Sequence, residues 1–253
     1  MCGGSRGIGL ASARALAEQG CQVAILGRRQ DRIDQAIAVL AEHGHPGVEG
    51  WAADATDPIQ LARAFASIES RFDYLNVLVN AVGSSVVGTF DALDEDDWVR
   101  AFSEGSLSAV RTIKLALPML RRAPWARIVN VTAMSTQHQT PTLVAYTASK
   151  AALTSITKNL SRYLAAEGIL VNAVAPGSVM TGGVAAAVSA AGGDPSDPEG
   201  SYAVMADLFG AHIDLGRVAD PEEVAQVVAF CASKANTFMT GAHINVDGGS
   251  DFT

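Results

Sequence analysis

Tyr146 and Lys150 are the residues of this chain whose types and spacing most directly suggest chemistry, in the segment Tyr146-Thr-Ala-Ser-Lys150. In a helix, residues four positions apart share one face, so a phenol and an ammonium group can reach the same substrate atom. A free tyrosine has a pKa of about 10, and a neighbouring lysine cation favours the phenolate and lowers that pKa. The pair therefore predicts a general acid and base of the kind that carbonyl reduction requires.

A glycine-rich segment at the start of the chain is typical of a loop that binds a dinucleotide. It precedes an apolar helical pattern. Glycines permit a tight turn and a close approach of the backbone, and the helix N-terminus presents free N–H groups to a pyrophosphate. The residues that we predict to bind the cofactor here are Gly3, Ser5, Arg6, Gly7, Ile8 and Gly9.

The next strand indicates which cofactor is bound. NAD-binding proteins of this type carry an acidic residue at the end of that strand, where it binds the ribose 2′-hydroxyl. This chain instead has Gly27 followed by Arg28. Arg28 and Arg6 could clamp a 2′-phosphate, although both could also be solvated surface charges. The residues favour NADP(H), with NAD(H) possible.

Short β-branched runs alternate with amphipathic helical patterns, which predicts an α/β fold with a Rossmann-like, doubly wound parallel sheet and helices on both faces. No internal repeat or linker divides the chain, so residues 1–253 are predicted to form a single domain. Turn-forming residues at 192–200 lie in a segment, about 182–212, that we predict to be a substrate lid. The predicted strands are Gln22–Leu26, Val48–Ala53, Leu75–Asn80, Arg127–Thr132, Ile169–Ala175 and His243–Val246.

Three further segments follow predicted strands. Ligands bind at the carboxyl ends of the strands in open α/β sheets, so these segments should lie beside the glycine-rich loop. The additional residues that we predict to bind the cofactor are Asp54, Ala55, Asn80, Pro176, Gly177, Val179 and Thr181, together with Tyr146 and Lys150.

Composition argues against several other classes of function. The 253-residue chain has a net charge of −8 and no basic cluster, so we expect no nucleic-acid partner. No apolar run approaches the roughly 18 residues of a membrane span, so we expect no membrane partner. The three cysteines and five histidines show no metal-ligand spacing, so no metal site is predicted. Cysteine usage and composition suggest a cytoplasmic protein that binds a small-molecule substrate.

These motifs together resemble those of the classical short-chain dehydrogenase/reductase family over nearly the whole chain. The family implies hydride transfer with a nicotinamide cofactor and a homo-oligomer, a tetramer or a dimer. By this likeness Asp54 would contact the adenine, Lys150 the nicotinamide ribose, and Val179 and Thr181 the carboxamide and phosphate region. The resemblance rests on Gly3-x-x-x-Gly7-Ile-Gly9, Asp54, Asn80, Tyr146-x-x-x-Lys150, Val171–Gly177, Thr181, Arg217–Val224 and Thr240–Gly249.

The start of the chain departs from the family pattern. In the family, a whole strand ending in Val-Thr precedes the glycine loop, and here Met1-Cys2 occupies that pair. We therefore expect the first strand, central in the family, to be missing from the chain as given, which would leave two unpaired strand edges. Our hypothesis is that the natural start lies upstream, and the N-terminal mass of the native protein tests it.

Two site residues of the family are also replaced. The family's serine lies 13 residues before the tyrosine, a position that Ala133 occupies here. Because side chains alternate along a strand, Ser135 would face the same way and is our preferred replacement. Thr132 is the alternative, or the role is empty. Gly105 stands where the family has an asparagine in the proton relay, so that relay is missing or rebuilt.

The sequence as a whole predicts an NADP(H)-dependent oxidoreductase that interconverts a carbonyl and a secondary alcohol. Tyr146 would exchange the proton, Lys150 would assist, and Ser135 or Thr132 would polarise the oxygen. The expected substrate is modest in size and largely apolar, of the 3-oxoacyl, terpenoid or steroid type. Two alternatives remain open: a catalytically weak nucleotide-binding or assembly protein, which Gly105 and Ala133 support, and a dehydratase or epimerase on the same scaffold.

Overall fold

The computed structural model describes residues 1–84, 86–210 and 212–250. Each predicted strand is present, with its ends within two residues of the prediction, and all paired strands are parallel. The predicted fold class is therefore confirmed. The strands are β1 (Ala24–Gly27), β2 (Glu49–Ala52), β3 (Val77–Asn80), β4 (Ala126–Val131), β5 (Ile169–Pro176) and β6 (His243–Val246), in two groups with the orders β1-β2 and β3-β4-β5-β6.

The first residues of the chain lie between these two groups of strands. Cys2 forms parallel bridges to Leu26 of β1 and to Asn80 of β3. The amide of Leu26 donates to the carbonyl of Met1 at 2.8 Å, and the amide of Cys2 donates to that of Val79 at 2.9 Å. The facing edges of β1 and β3 are thus partly paired rather than wholly unpaired, because Met1–Gly3 contact both of them. The hypothesis of an upstream start stays a hypothesis.

Helices connect the strands and cover both faces of the sheet. A π-helical turn at Ser103–Leu107 joins the helix that ends at Phe102 to the helix that begins at Ser108. Asp57 caps the helix that begins at Pro58, accepting hydrogen bonds from the amides of Ile59 and Gln60. The helices are α1 (Gly7–Glu18), α2 (Gln30–Glu42), α3 (Pro58–Arg71), α4 (Glu95–Phe102), α5 (Ser108–Arg122), α6 (Val144–Tyr163), α7 (Gly182–Ala190), α8 (Pro198–Phe209) and α9 (Pro221–Ala232).

Two apolar cores pack against opposite faces of the sheet. Val129 of β4 belongs to the core that includes α1, α2 and α9, whereas its neighbour Ile128 belongs to the core that includes α3, α5 and α6. Every residue of β4 is buried. Burial on both faces accounts for the mainly apolar sequences of β3, β4 and β5.

A buried polar network fixes α5 and α6 against the sheet. The side-chain amide of Asn80 donates to Asn130 at 2.9 Å, and Thr112 of α5 donates to Asn80 at 2.6 Å. Asn130 in turn donates to Thr157 of α6 at 2.9 Å. Satisfied buried networks specify one arrangement of the elements, so this one sets the position of the helix that carries Tyr146.

The segment predicted to be a lid contains α7 and α8, and its residue Ala211 lies outside the described residues. These helices bury few side chains: Val188 in α7, and Ser201 and Met205 in α8. Within the described residues, no helix combines the length and apolar character needed to cross a membrane.

Candidate active site

Lys150 is held at the carboxyl ends of two strands. It lies one turn after Tyr146 in α6, as the spacing predicts, and its side chain is only 2% exposed. Its Nζ atom donates to the carbonyl of Val82, just after β3, at 3.1 Å and to that of Val131 in β4 at 2.8 Å. The same nitrogen lies 6.0 Å from the centroid of the Tyr146 ring. The phenol and the amine therefore meet at the edge of the sheet where ligands bind.

The pKa values of this pair are set by burial. Burial lowers the pKa of Lys150 from 10.5 to about 8. Burial also raises the pKa of Tyr146 from 10.0 to about 12. The expectation that the pKa of this tyrosine is lowered is therefore wrong for the chain without a bound ligand. The cause is desolvation, since burial disfavours the charged phenolate. Tyr146 is consequently a protonated phenol at neutral pH and is ready to donate.

We expect the free energy of unfolding to rise with pH between about 8 and 10.5 because of Lys150. The folded pKa lies below the ordinary value, so in this window the unfolded chain binds the extra proton, and raising the pH removes the cost of burying the charge. The control variant Lys150→Met lacks this titration. Wild type should gain on the order of 3 kcal/mol relative to the variant across the window, measured by urea unfolding. A difference between the two that stays constant or falls with pH would contradict the assignment.

Ser135 and Thr132, the two candidates for the missing serine, contact different elements of the fold. β4 ends at Val131, and the chain then forms a short 3₁₀ helix at Met134–Thr136. Strand alternation therefore stops before Ser135, so that argument for its orientation is wrong. Ser135 is nevertheless buried against α6, where its Oγ accepts a hydrogen bond from Thr147 at 3.2 Å. Thr132 donates to the carbonyl of Val174 at 3.2 Å and lies 3.1 Å from Nε2 of His243, so its hydroxyl is directed to β5 and β6.

Replacing Ser135 with alanine should lower turnover by about 10²-fold or more if its hydroxyl polarises the substrate oxygen. Restoring a hydroxyl at the family's position, with Ala133→Ser in the same chain, should recover part of the loss. Ser155→Ala, on the exposed face of α6, is the matched control and should leave the rate unchanged. An unchanged steady-state rate in the Ser135→Ala variant would refute the role.

The glycine-rich loop folds closely onto the sheet and onto the start of α1. The amides of Gly3 and Gly4 both donate to the carbonyl of Leu26, at 2.9 and 3.1 Å. A Cβ atom at Gly9 would lie 2.0 Å from the carbonyl oxygen of Gly3. No side chain fits in that space, so the loop leaves its backbone and the N-terminus of α1 open to a ligand.

Contacts around this loop show that several predicted cofactor residues come together. A Cβ atom at Gly27 would lie 2.9 Å from Oγ of Ser5, so the loop lies against the end of β1. A Cβ atom at Gly7 would lie 3.3 Å from the Thr181 side chain, which brings the segment after β5 to the same place.

Other predicted cofactor residues are only partly available to a ligand. The Asn80 side chain is committed to the buried network, so only its backbone can face a nucleotide. Asp54 accepts hydrogen bonds from the amide and hydroxyl of Thr56, at 2.8 and 2.7 Å, which shapes the turn that contains Ala55. Val179 is buried and bridges to Ala219. Pro176 ends β5, Gly177 packs against Asp247, and Ile8 lies in the first turn of α1.

The turn that contains Gly105 lies against the catalytic helix. A Cβ atom at this position would lie 2.2 Å from Oγ of Ser149, which occupies the space that a side chain would need. π-helical turns are frequent at functional sites. The geometry accounts for glycine here but does not identify a replacement for the family's asparagine.

Sequence reasoning missed three features of the site. The carbonyls of Val82 and Val131 hold Lys150, and no sequence pattern signals a backbone acceptor. Thr147 contacts Ser135, and its place next to Tyr146 could have pointed to it. Glu104 lies 3.9 Å from Arg28, although the two are far apart in the chain. Among the described residues, no group of three His, Cys, Asp or Glu side chains is arranged to hold a metal ion.

Known proteins are similar to this chain in sequence and in fold. Residues 3–251 match the family model described as enoyl-(acyl carrier protein) reductase. A 3alpha-hydroxysteroid dehydrogenase of Mediterraneibacter gnavus is 31% identical over 97% of this chain and 93% of that protein. The crystal structure of YwfH, an NADPH dependent reductase involved in bacilysin biosynthesis, has a TM-score of 0.88 and 30% identity, covering 98% of this chain and 96% of that one.

A second solved structure is also similar to this chain in fold. It is a short chain oxidoreductase of Pseudomonas aeruginosa PAO1, with NADPH bound and described as containing an atypical catalytic center. Its TM-score is 0.90 and its identity 28%, covering 98% of this chain and 94% of that one. With the matched motifs, the parallel sheet and the paired Tyr146 and Lys150, these similarities show that the chain belongs to the short-chain dehydrogenase/reductase family of oxidoreductases.

Proposed function

We propose that this enzyme is an NADP(H)-dependent oxidoreductase that interconverts a carbonyl and a secondary alcohol. The observation that carries the proposal is the position of the Tyr146 phenol beside the buried amine of Lys150, at the strand ends that also bear the glycine-rich loop. A proton donor that is neutral at physiological pH and a fixed cation next to it are the groups that carbonyl reduction requires.

The residues present fit a dinucleotide. Backbone atoms of Gly3 and Gly9 approach so closely that no side chain intervenes, and the N-terminus of α1 provides free N–H groups for a pyrophosphate. Gly27 and Arg28 at the end of β1 favour a 2′-phosphate over a ribose hydroxyl. NADPH in the names of two similar solved structures supports the same choice. When bound, the nicotinamide supplies or accepts the hydride.

In the direction of reduction, Tyr146 donates its proton to the oxygen of the substrate, which becomes the hydroxyl group. The ammonium group of Lys150, held by the carbonyls of Val82 and Val131, stabilises the phenolate that forms. The proposed role of Ser135 is to polarise the substrate oxygen; its Oγ accepts a hydrogen bond from Thr147, which leaves its own proton for the substrate. Oxidation of an alcohol runs through the same groups with each proton moving in reverse.

The proposed substrate is modest in size and largely apolar, of the 3-oxoacyl, terpenoid or steroid type. We propose that α7 and α8 form its lid. The sequence of α7 contains no charged residue, and both helices bury few of their own side chains, which leaves apolar surface for a ligand. The hydroxysteroid dehydrogenase among the relatives supports a substrate of this kind.

We also propose a homo-oligomer, either a tetramer or a dimer, in the cytoplasm. Val99 of α4 and Leu107, between α4 and α5, are exposed apolar side chains that a second copy would cover. Cysteine usage and the acidic composition support the location. Light scattering on the purified chain tests the oligomer, and a monomer would contradict it.

One observation favours a second candidate function, a catalytically weak nucleotide-binding protein of the same fold. Ala133 and Gly105 replace two residues of the family's site, and Ser149 leaves no room for a side chain at position 105. The similar structure with an atypical catalytic center also binds NADPH, so cofactor binding alone does not separate the two candidates.

A test in two steps separates them. Fluorescence titration of the folded chain with NADPH and NADH should show tighter binding of NADPH, and binding of neither would contradict the proposal. A panel of apolar ketones and 3-oxoacyl thioesters is then screened for consumption of NADPH. Formation of one alcohol per NADPH supports the oxidoreductase and excludes a dehydratase or an epimerase. If NADPH binds but no ketone or thioester of the panel causes its consumption, the result favours the catalytically weak nucleotide-binding protein.

A further inference from the structure

Glu104 is a carboxylate that the proposed chemistry does not use. Its side chain lies in the π-helical turn and is 14% exposed. Among residues 1–84, 86–210 and 212–250, its Oε2 atom is buried and has no hydrogen-bond partner. Buried polar atoms are nearly always hydrogen-bonded, so the protein leaves this carboxylate incompletely satisfied, and its other oxygen, Oε1, is the one that a ligand would meet.

Contacts on two sides place Glu104 at the adenosine end of the proposed cofactor site. Its Oε1 atom lies 3.9 Å from Nη1 of Arg28, the residue directly after β1 that we propose for the 2′-phosphate. The neighbouring Ser103 accepts a hydrogen bond at its carbonyl from Arg111 at 3.3 Å. The same nitrogen of Arg111 lies 3.5 Å from the carbonyl of Ala55, after β2. The turn that carries Glu104 is therefore close to the ends of both β1 and β2.

The next residue faces the other half of the site. Gly105 packs against Ser149 of α6, one residue before Lys150. Two consecutive residues of the turn thus contact Arg28 and the catalytic helix, because successive side chains of a helix point in different directions. Glu104 lies on the side of this turn that faces Arg28.

We propose that Glu104 is a specificity-determining residue that limits the preference of this site for NADP(H) over NAD(H), an inference that rests on the proposed function. Its carboxylate competes with a 2′-phosphate for Arg28 and repels the phosphate. With NAD(H), the carboxylate accepts a hydrogen bond from the ribose hydroxyl, a role that falls in related sites to an acidic residue at the end of the strand that corresponds to β1. Gly27 at the end of β1 cannot play that role. Both effects raise the affinity for NAD(H) relative to NADP(H).

The experiment compares the ratio of NADPH to NADH affinity in wild type and in Glu104→Gln, which keeps the shape of the side chain and removes its charge. We expect the ratio to rise at least about fivefold, because repulsion of a nearby phosphate is lost. Glu104→Asp keeps the charge and should stay within about twofold of wild type. Glu69→Gln removes the same charge from an exposed position on α3, where Glu69 pairs with Arg122, and should leave the ratio unchanged.

The possible results distinguish this inference from the proposed function. A ratio that rises in Glu104→Gln alone supports the inference. If both nucleotides bind but the ratio is unchanged or lower in Glu104→Gln, the inference is overturned and the proposed function stands. If wild type binds neither nucleotide, the proposed function itself fails. Glu104→Met, which also removes the charge, provides the same comparison if the glutamine variant does not fold.

Discussion

Replacing Tyr146 with phenylalanine is expected to lower turnover by about 10²- to 10⁴-fold, the range that a positioned acid or base contributes. Burial raises the pKa of this tyrosine to about 12, so the phenol carries the proton that the substrate oxygen needs. Phenylalanine keeps the ring that faces Lys150 and removes only the hydroxyl. The affinity for NADPH should change by about fivefold or less, since at most one neutral hydrogen bond, worth about 1 kcal/mol, is lost. Steady-state consumption of NADPH with the best substrate of the panel measures the rate.

Tyr163 provides a matched control for this variant. It lies at the end of the same helix, and it is 68% exposed. The Tyr163→Phe variant makes the identical chemical change away from the site and should keep the wild-type rate. If Tyr146→Phe also kept the wild-type rate, Tyr146 would not be the proton donor, and the proposed mechanism would be wrong.

The second large effect is expected at Gly9, where alanine should weaken the binding of NADPH by at least about tenfold, or about 1.4 kcal/mol. The new methyl carbon would lie 2.0 Å from the carbonyl oxygen of Gly3. That oxygen has little freedom to move, because the amides of Gly3 and Gly4 are both bound to the carbonyl of Leu26. Relieving the overlap displaces either the loop or the start of α1, and both provide the proposed phosphate site.

Gly47 is the control for this second variant. It is exposed, and a Cβ atom there would have no neighbour within 4 Å, so Gly47→Ala should fold and bind NADPH like wild type. Thermal unfolding of both variants separates a local effect on the loop from a loss of the fold. Overpacking of this kind costs about 1–3 kcal/mol of stability. Wild-type NADPH affinity in a folded Gly9→Ala chain would mean that the loop is not the nucleotide site.

The two variants test separate parts of the site. Tyr146→Phe should strongly slow the chemistry and keep the binding, whereas Gly9→Ala should weaken the binding and, through it, lower the rate at limiting NADPH. A catalytically weak nucleotide-binding protein would respond to the second change and not to the first. The pair of results therefore also discriminates between the two candidate functions.

Local sequence was sufficient for much of the fold. Runs of apolar and β-branched residues predicted the central strands β3, β4 and β5, since strands covered on both faces need such runs. The spacing of Tyr146 and Lys150 predicted that they share a helix face, which depends only on the helical repeat. The glycines of the first loop predicted a tight turn, and a Cβ atom at Gly9 would indeed overlap the carbonyl oxygen of Gly3; the approach of this loop to a dinucleotide stays a prediction.

Properties that depend on distant parts of the chain could not be predicted in this way. The pKa of Tyr146 was expected to fall, but burial by surrounding elements raises it. The orientation of Ser135 was argued from strand alternation, but the chain leaves the strand at Val131. The pairing of Asn80 with Asn130 joins residues of different strands, and no pattern around either one indicates it.

The sequence by itself determined the succession of strands and helices along the chain and the phenol and amine groups of the candidate site. Periodicity, turn residues and i, i+4 spacing are sufficient for this, because they act between neighbours in the chain. Only the tertiary structure decided which groups are buried, which hydroxyl lies against the catalytic helix, and that Glu104 faces Arg28. Desolvation and hydrogen bonding depend on atoms brought together from many segments, and their positions follow from packing of the whole domain.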